Sequence, residues 1–472
     1  MRRRKRMSVK QDSLQENIQT IIPLSPAQKW WRWTKQPILN VYIHGVLHFP
    51  VDGELFRATC SLLLQRHPLL RAVFPEREES ESMLILEDPG ALPILEEDMS
   101  GLPEEAFWDA LNMRIARLHR QVDLTAWPLL QLGIFNRAEK THIVIVVPTL
   151  IGDILMVKAL SRELMVIYRA LHLGQRPPAQ SVMDDYGEYV RYLEGIPSEM
   201  LQNYADKWQK ELPKEPLLLP VDHRLGNNRL DSERMELVYW DLPSAVTGFS
   251  GEKEASVGIY AYVWLALVRV LREWTGRPDV TVCERSIGRN LQMKANLFKS
   301  VGFYAVDYPV CLRLERESSI KEQLGLISRT LEQGSMNGAV YNYLYSKNQQ
   351  FPLPHELSPV RIDFVGRADT FNASGIEFLE GLARFGYRSG EPVMNYNFEN
   401  VGNHYAESAG GADRLYQLDL SCVIVDGTLM IGIYYSCSLF KARNIRRFGD
   451  ALADELTRIA EDAAKSGIRC IY

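Results

Sequence analysis

Cysteine is scarce in this chain and follows no pattern. Six thiols, Cys60, Cys283, Cys311, Cys422, Cys437 and Cys470, are spread over 472 residues without Cys-x-x-Cys or metal-ligand spacing. That argues against a disulfide framework or a zinc site, and for free, mostly buried thiols in a reducing cytoplasm. No apolar run reaches the ~18 residues that a membrane-spanning helix needs. Positive charge is not in excess either. With 54 Lys and Arg against 59 Asp and Glu the net charge is -5, the wrong sign for a nucleic-acid surface. The one basic run, Arg2-Arg3-Arg4-Lys5-Arg6, leads into polar residues and lacks the apolar centre of a signal peptide. Residues 1–20 are therefore expected to be a solvated, disordered basic tail. A Gly-rich phosphate loop and Gly-x-Ser-x-Gly are both missing. Neither a metal nor a bound cofactor is expected.

What is present points to two domains, since 472 residues exceed what one core usually organises. Ser25-Pro26 opens a helix, with Ser25 suited to cap it and Pro26 suited to its first position. Strand patterns fall at 42–49, 70–74, 83–86, 129–135 and 142–147. Helical periodicity marks 54–66, 104–120 and 153–171, the last stopped by Gly174. The segment Gly174-Gln175-Arg176-Pro177-Pro178 reads as a linker. A first lobe over 21–178 and a second over 179–472 follow. The second holds helices at about 184–211, 257–274 and 440–465, and strands at 280–283, 308–314, 361–365, 416–426 and 429–435. Asp426-Gly427 is a hairpin turn between the last two strands. Strands mixed with helices in both halves predict an α/β fold. The Trp30, Trp31 and Trp33 cluster is expected to pack a core.

Four stretches in order resemble the motifs of one family. They are Leu24-Ser25-Pro26-Ala27-Gln28-Lys29-Trp30-Trp31; Arg66-His67-Pro68-Leu69-Leu70-Arg71-Ala72-Val73-Phe74; Val147-Pro148-Thr149-Leu150-Ile151-Gly152-Asp153-Ile154; and Trp274 to Val280 with Ile287-Gly288-Arg289. Ser300-Val301-Gly302-Phe303-Tyr304 and Asp363-Phe364-Val365-Gly366-Arg367 add to them. The chain is similar to condensation and epimerisation domains of nonribosomal peptide synthetases. The last two stretches lean toward the epimerisation side. The resemblance implies two chloramphenicol-acetyltransferase-like lobes in a V-shaped pseudo-dimer, monomeric and cytoplasmic. A tunnel would admit phosphopantetheine arms of peptidyl or acyl carrier proteins supplied in trans.

The third stretch departs from the family pattern His-His-x-x-x-Asp-Gly. Pro148 and Thr149 stand at the two His positions and Ile154 at the final Gly, while Asp153 keeps the Asp. The resemblance implies a structural ion pair of Asp153 with Arg289, and a tunnel lined by Pro148, Gly152, Gly302 and Tyr304. Asp153 also suits a helix cap. Thr149 occupies the place of the reactive His. Its hydroxyl has no accessible basic form at neutral pH but can still hydrogen-bond. A general base is worth about 10²–10⁴ in rate, and positioning alone serves an amine attacking a thioester. Epimerisation needs a carbon acid deprotonated, so this loss argues against it. Among the other histidines, His67 reads as structural, His142 as surface or sheet edge, and His404 as a solvated loop residue. Glu284 stands near the place of the epimerisation Glu, one residue farther from Gly288-Arg289 than the pattern has it. It is a candidate tunnel acid. Two functions follow: a condensation-like acyltransferase forming an amide or ester, and an inactive module that binds carriers or recruits a tailoring enzyme.

Overall fold

A computed structural model describes residues 17–33, 40–75, 80–180, 186–242, 256–293, 297–315, 318–348, 351–367, 377–378, 387–388, 391–392, 413–425 and 427–471. The basic residues Arg2 to Arg6, His404 and Trp33's side chain lie outside that description. The chain forms two units. The first comprises residues up to Ile196, Gln292–Tyr304 and Thr370–Ala409, and the second comprises the rest.

The first unit begins with β1 (Ile18–Pro23), so Ile18 to Thr20 belong to a strand and not to the expected tail. β1 pairs with β4 (Ser82–Leu86), which also takes β3 (Ala72–Val73). The strand expected over 70–74 is shorter than that, because Pro68–Arg71 is a 3₁₀ turn, started by Pro68 at its first position. Helix α1 (Pro26–Trp33) follows β1 and α2 (Gly53–Arg66) follows β2 (Asn40–Leu47). Asp52 caps α2 by accepting from Glu54 N and Leu55 N. β2 joins a five-stranded sheet with β5 (Ile94–Asp98), β6 (Gln131–Arg137), β7 (Lys140–Pro148) and β12 (Glu377–Phe378), ordered β12-β2-β7-β6-β5. β7 is central, and every residue after Lys140 is buried. Helix α3 (Glu104–Gln121) covers one face, packing Phe107, Leu111 and Ile115 on Val144 and Val146. Side chains of this size contribute roughly 1.5–3 kcal/mol each on full burial. Helices α4 (Ile154–His172) and α5 (Tyr186–Glu194) complete the unit. Gly174 ends α4 at φ +66°, as its position predicts.

The unit boundary falls after Ile196 and not after residue 178, because α5 packs against β1 of the first unit. Pro197 then separates α5 from α6 (Ser198–Glu211), dividing the predicted helical stretch in two. The second unit holds a six-stranded sheet of β8 (Glu233–Asp241), β9 (Asp279–Ser286), β10 (Val306–Arg313), β11 (Val360–Arg367), β13 (Leu418–Val425) and β14 (Thr428–Ser436). The order is β10-β9-β11-β13-β14-β8, with β11 parallel to both of its neighbours. Helix α7 (Ile259–Thr275) is its core helix: Trp264, Leu265, Leu267, Val268 and Leu271 are fully buried. It packs against the 24-residue α10 (Ala442–Lys465), while α8 (Ile320–Glu332) and α9 (Gly334–Asn348) occupy the intervening chain. Gly427, at φ +81°, sits in the β13–β14 hairpin. Five of the six cysteines are buried or half-buried and Cys437 is exposed; all are free. Among the described residues no helix is long and apolar enough to cross a membrane, and no cluster of His, Cys, Asp and Glu could hold a metal.

Candidate functional site

In the first unit the junction from β7 to α4 is held by three segments distant in sequence. β7 ends at Pro148, paired with Asn40 of β2, and the chain turns as Ile151 N donates to Pro148 O at 3.0 Å. Thr149 and Leu150 form the turn, with Thr149 half-buried. Gln28 of α1 donates from Nε2 to Leu150 O at 2.6 Å. Gln28 and Ser25 also close a reciprocal cap on α1, with Ser25 N to Gln28 Oε1 at 2.8 Å and Gln28 N to Ser25 Oγ at 3.3 Å. The opening motif therefore holds the 148–153 turn in place.

Asp153 caps α4, as its position predicts. One carboxylate oxygen accepts from Met156 N at 2.8 Å, and the other accepts from Tyr304 N at 3.1 Å. The residue is 7% exposed, so both bonds form away from bulk water. Gly152 lies against Met156, where a Cβ would come within 2.1 Å of the sulfur.

The Ser300–Tyr304 segment returns from far along the chain to this same unit. Tyr186 of α5 donates its hydroxyl to Phe303 O at 2.7 Å and lies 3.1 Å from Ser25 Oγ. Burial holds that phenol far above its ordinary range, so it stays a donor. Tyr304 packs edge-on against Tyr186 and Tyr189, at 5.3 and 4.8 Å between centroids, and its hydroxyl meets Ser300 Oγ at 2.8 Å. A Cβ on Gly302 would lie 2.6 Å from both the Tyr186 and Tyr304 rings. Gly302→Ala is therefore expected to cost roughly 1–3 kcal/mol, read as a lower urea midpoint; an unmoved midpoint would mean the rings give way freely. Sequence reasoning missed Tyr186, because nothing in a helical stretch distinguishes a buried tyrosine that bonds a distant loop from one that merely packs.

The second motif has structural work of its own. His67 Nε2 lies 2.8 Å from Glu163 of α4, and Arg66 donates to the other oxygen at 2.6 Å. Burial alone would raise the Glu163 carboxyl, but these two bonds outweigh it and hold it below the usual range. Arg71 spans β1 and β4 by donating to Leu86 O, Glu87 O and Gln19 Oε1.

His142 is not at a surface or an edge. It is buried at the heart of the first unit, with Nδ1 2.9 Å from His44 Nε2 and its ring against Phe107 and Trp108. Such a contact needs one nitrogen unprotonated, so the two imidazoles share a single proton between them there. The misplacement has a simple cause: β7 is a central strand, and its polar start is covered by α3.

Glu284 lies in the second unit, on β9. It accepts from Tyr260 Oη at 2.6 Å and Trp264 Nε1 at 3.0 Å, both from α7. Burial pushes its carboxyl up to about 8, with Asp363 and Asp307 adding to the rise and the two donors opposing it. At neutral pH it is largely a neutral acid. Tyr260 in turn stacks on Phe364, 5.1 Å away at 18°. Arg289 is 2% exposed and follows Gly288, whose φ of +64° requires a residue without Cβ strain. Trp30 and Trp31 are buried and meet edge-on at 5.0 Å, as expected of core residues.

Comparisons with known proteins identify the family and the fold. The family model for the condensation domain matches residues 18–354, well over half of the chain. The chain is similar to tyrocidine synthase 2 of Brevibacillus parabrevis, 22% identical over an alignment of 481 positions that takes in 95% of this chain but 12% of that protein. It is likewise similar to bacitracin synthase 3 of Bacillus licheniformis, 20% identical over 471 residues, 96% of this chain and 7% of that protein. It thus spans a small part of such relatives. Among solved structures it is similar to the epimerization domain from the third module of tyrocidine synthetase B, with a TM-score of 0.76 at 17% identity, covering 93% of this chain and 97% of that one. It is also similar to the X-domain solved in complex with OxyB from teicoplanin biosynthesis, with a TM-score of 0.68 at 15% identity and coverage of 95% and 94%. These folds bear out the two-lobed α/β architecture that the motifs implied, and the chain belongs to the condensation-domain family.

Proposed function

We propose that this chain is a condensation-type acyltransferase that joins an acyl group, held as a thioester on a carrier protein's phosphopantetheine arm, to an amine. The observation that carries this reading is the intact support of the 148–153 turn. Gln28, Asp153 and Tyr304 N all hold it, although the reactive imidazole is gone. The reaction balances without a strong base. The amine nitrogen bonds to the carbonyl carbon, the carbon–sulfur bond breaks, and the leaving thiolate takes up the proton that the nitrogen gives up. Holding the partners in line supplies much of the effect, and the Thr149 hydroxyl contributes a hydrogen bond to the reacting groups. Glu284 is given no step, since both of its donors come from α7 of its own unit. The carrier acting in trans, the monomeric state and the cytoplasmic location belong to this reading.

The test incubates the protein with an acyl-loaded carrier protein and an amine acceptor, followed by intact mass. Wild type is expected to form the amide, and Thr149→Val to lose roughly 10–100-fold, the worth of one hydrogen bond to a charge-developing centre. A second reading, an inactive module that binds carriers or recruits a tailoring enzyme, is favoured by Pro148 and Thr149 at the family's histidine positions. Product from Thr149→His alone, with none from wild type, would establish a decayed enzyme and overturn the first reading.

A further inference from the structure

One face of the six-stranded sheet in the second unit sets a carboxylate where no cation meets it. Phe364 of β11 stacks on Tyr260 of α7, so the alternation of a strand turns its neighbour Asp363 to the opposite face. On that face Arg285 forks onto Asp307, donating from Nε and Nη2 at 2.7 and 2.8 Å. Arg361 forks onto Asp419, donating from Nε at 2.9 Å and also from Nη2, and its Nη1 lies 3.7 Å from Asp307. Both guanidiniums are thereby taken up. At the far end of β9 and β10, Asp279 and Arg313 face each other at 3.6 Å. Asp363 is left over: among the described residues no Lys, Arg or His pairs with it, and its Oδ1 is buried without a hydrogen bond. Its register partner on β13, Ser421, is 1% exposed, and that hydroxyl makes no hydrogen bond either. Gly432, beside Ser421 on β14, adds no side chain there. Two bare oxygens in register destabilise the sheet unless a donor meets them. Asp363 as a whole is half-buried, so its carboxyl stays within reach of a small molecule.

The place bears on acyl transfer. Asp363 is in register with Arg285, the next residue Ser286 pairs with Val306, and Val306 stands two residues past Tyr304. Asp363 therefore lies at the end of the sheet that continues into the Ser300–Tyr304 segment, whose last amide Asp153 holds. We propose that Asp363 and Ser421 bind a protonated nitrogen of the acceptor, and that this nitrogen is not the one that reacts. An ammonium brings three donors, enough for both oxygens, and a positive charge for the unmatched carboxylate. The attacking nitrogen must instead shed its proton, and a carboxylate beside it would hold that proton on. The acceptor is then an amine with a second, protonated nitrogen, of which an aliphatic diamine is the simplest. A metal ion fits less well, since among the described residues no group of three His, Cys, Asp or Glu could hold one. The assignment rests on the reading of carrier-linked acyl transfer and adds the class of acceptor.

The experiment gives the full chain an acyl-loaded carrier protein and either hexamethylenediamine or hexylamine, which share a carbon chain and differ in the second nitrogen. Amide formation is followed by mass against amine concentration, and both amines are also titrated into the chain by calorimetry. Wild type is expected to show a KM and a Kd roughly 10–100-fold lower for the diamine, with kcat little changed. Asp363→Asn is expected to bring the ratio between the two amines close to one, and Ser421→Ala to narrow it several-fold. Circular dichroism melts show that each variant folds. Product from both amines with equal KM and Kd in wild type would overturn the cation site and leave the acyl-transfer reading standing. No product from either amine would overturn that reading, and the acceptor role with it. A diamine advantage that survives Asp363→Asn would place the cation elsewhere and likewise overturn the assignment.

Discussion

Glu284→Gln is expected to melt within about 1 °C of wild type at pH 5 and several degrees above it at pH 9. The folded carboxyl is held at about 8, against 4.5 ordinarily. Between those values the folded chain keeps a proton that the unfolded chain has released. The group's contribution to stability is therefore full below about 4.5 and is lost as pH rises through about 8. A displacement of this size corresponds to on the order of a few kcal/mol, or roughly 5–10 °C for a unit of this length. Glutamine keeps an oxygen to accept from Tyr260 and Trp264 but does not ionise, so its curve should stay flat across the same window. Parallel melting curves for the two proteins from pH 5 to 9 would show that Glu284 is ionised in the fold after all.

Asp153→Ala should lower the stability of the first unit by on the order of 3 kcal/mol. About 1 kcal/mol is the lost cap of α4. A further 1–3 kcal/mol comes from the Tyr304 amide, left buried without an acceptor. The measurement is a urea titration followed by circular dichroism. A loss near 1 kcal/mol would mean that only the cap mattered. The same titrations on Arg289→Ala and on the double variant test the ion pair that the family resemblance implies. Paired residues give a double variant less damaged than the sum of the singles by more than about 0.5 kcal/mol. Additivity within that margin would exclude the pair.

Much of the architecture was legible because it is written locally. Asp153, Gly174 and Pro26 each mark an end of a helix by the conformation or hydrogen bond that such residues supply. The apolar run of β7 announced a strand covered on both faces. What stayed hidden depends on contacts across the chain. His142 looked peripheral because its partner His44 lies on β2, 98 residues earlier. Tyr186 gave no sign of its bond to Phe303, 117 residues on. The boundary at Ile196 was missed because Gly174 to Pro178 has the composition of a linker while α5, beyond it, still packs on β1. At the turn from β7 to α4, the resemblance implies Pro148 and Thr149 at the family's histidine positions, and the structure shows the turn held by Gln28 and Asp153. Glu284 stood out only by its place beside Gly288-Arg289; its neutral state comes from burial under α7, which spacing does not reveal.

The return of Ser300 to Tyr304 into the first unit has a consequence for how the chain comes off the ribosome. The acceptor oxygens of Asp153 and the hydroxyl of Tyr186 wait for amide and carbonyl groups synthesised more than a hundred residues later. A nascent chain stopped near Ile196 would have α1 to α5 and yet carry its central junction half-fastened. The junction closes only when residue 304 has been made, and β12 reaches β2 later still, so the unit matures after translation of the second unit has begun.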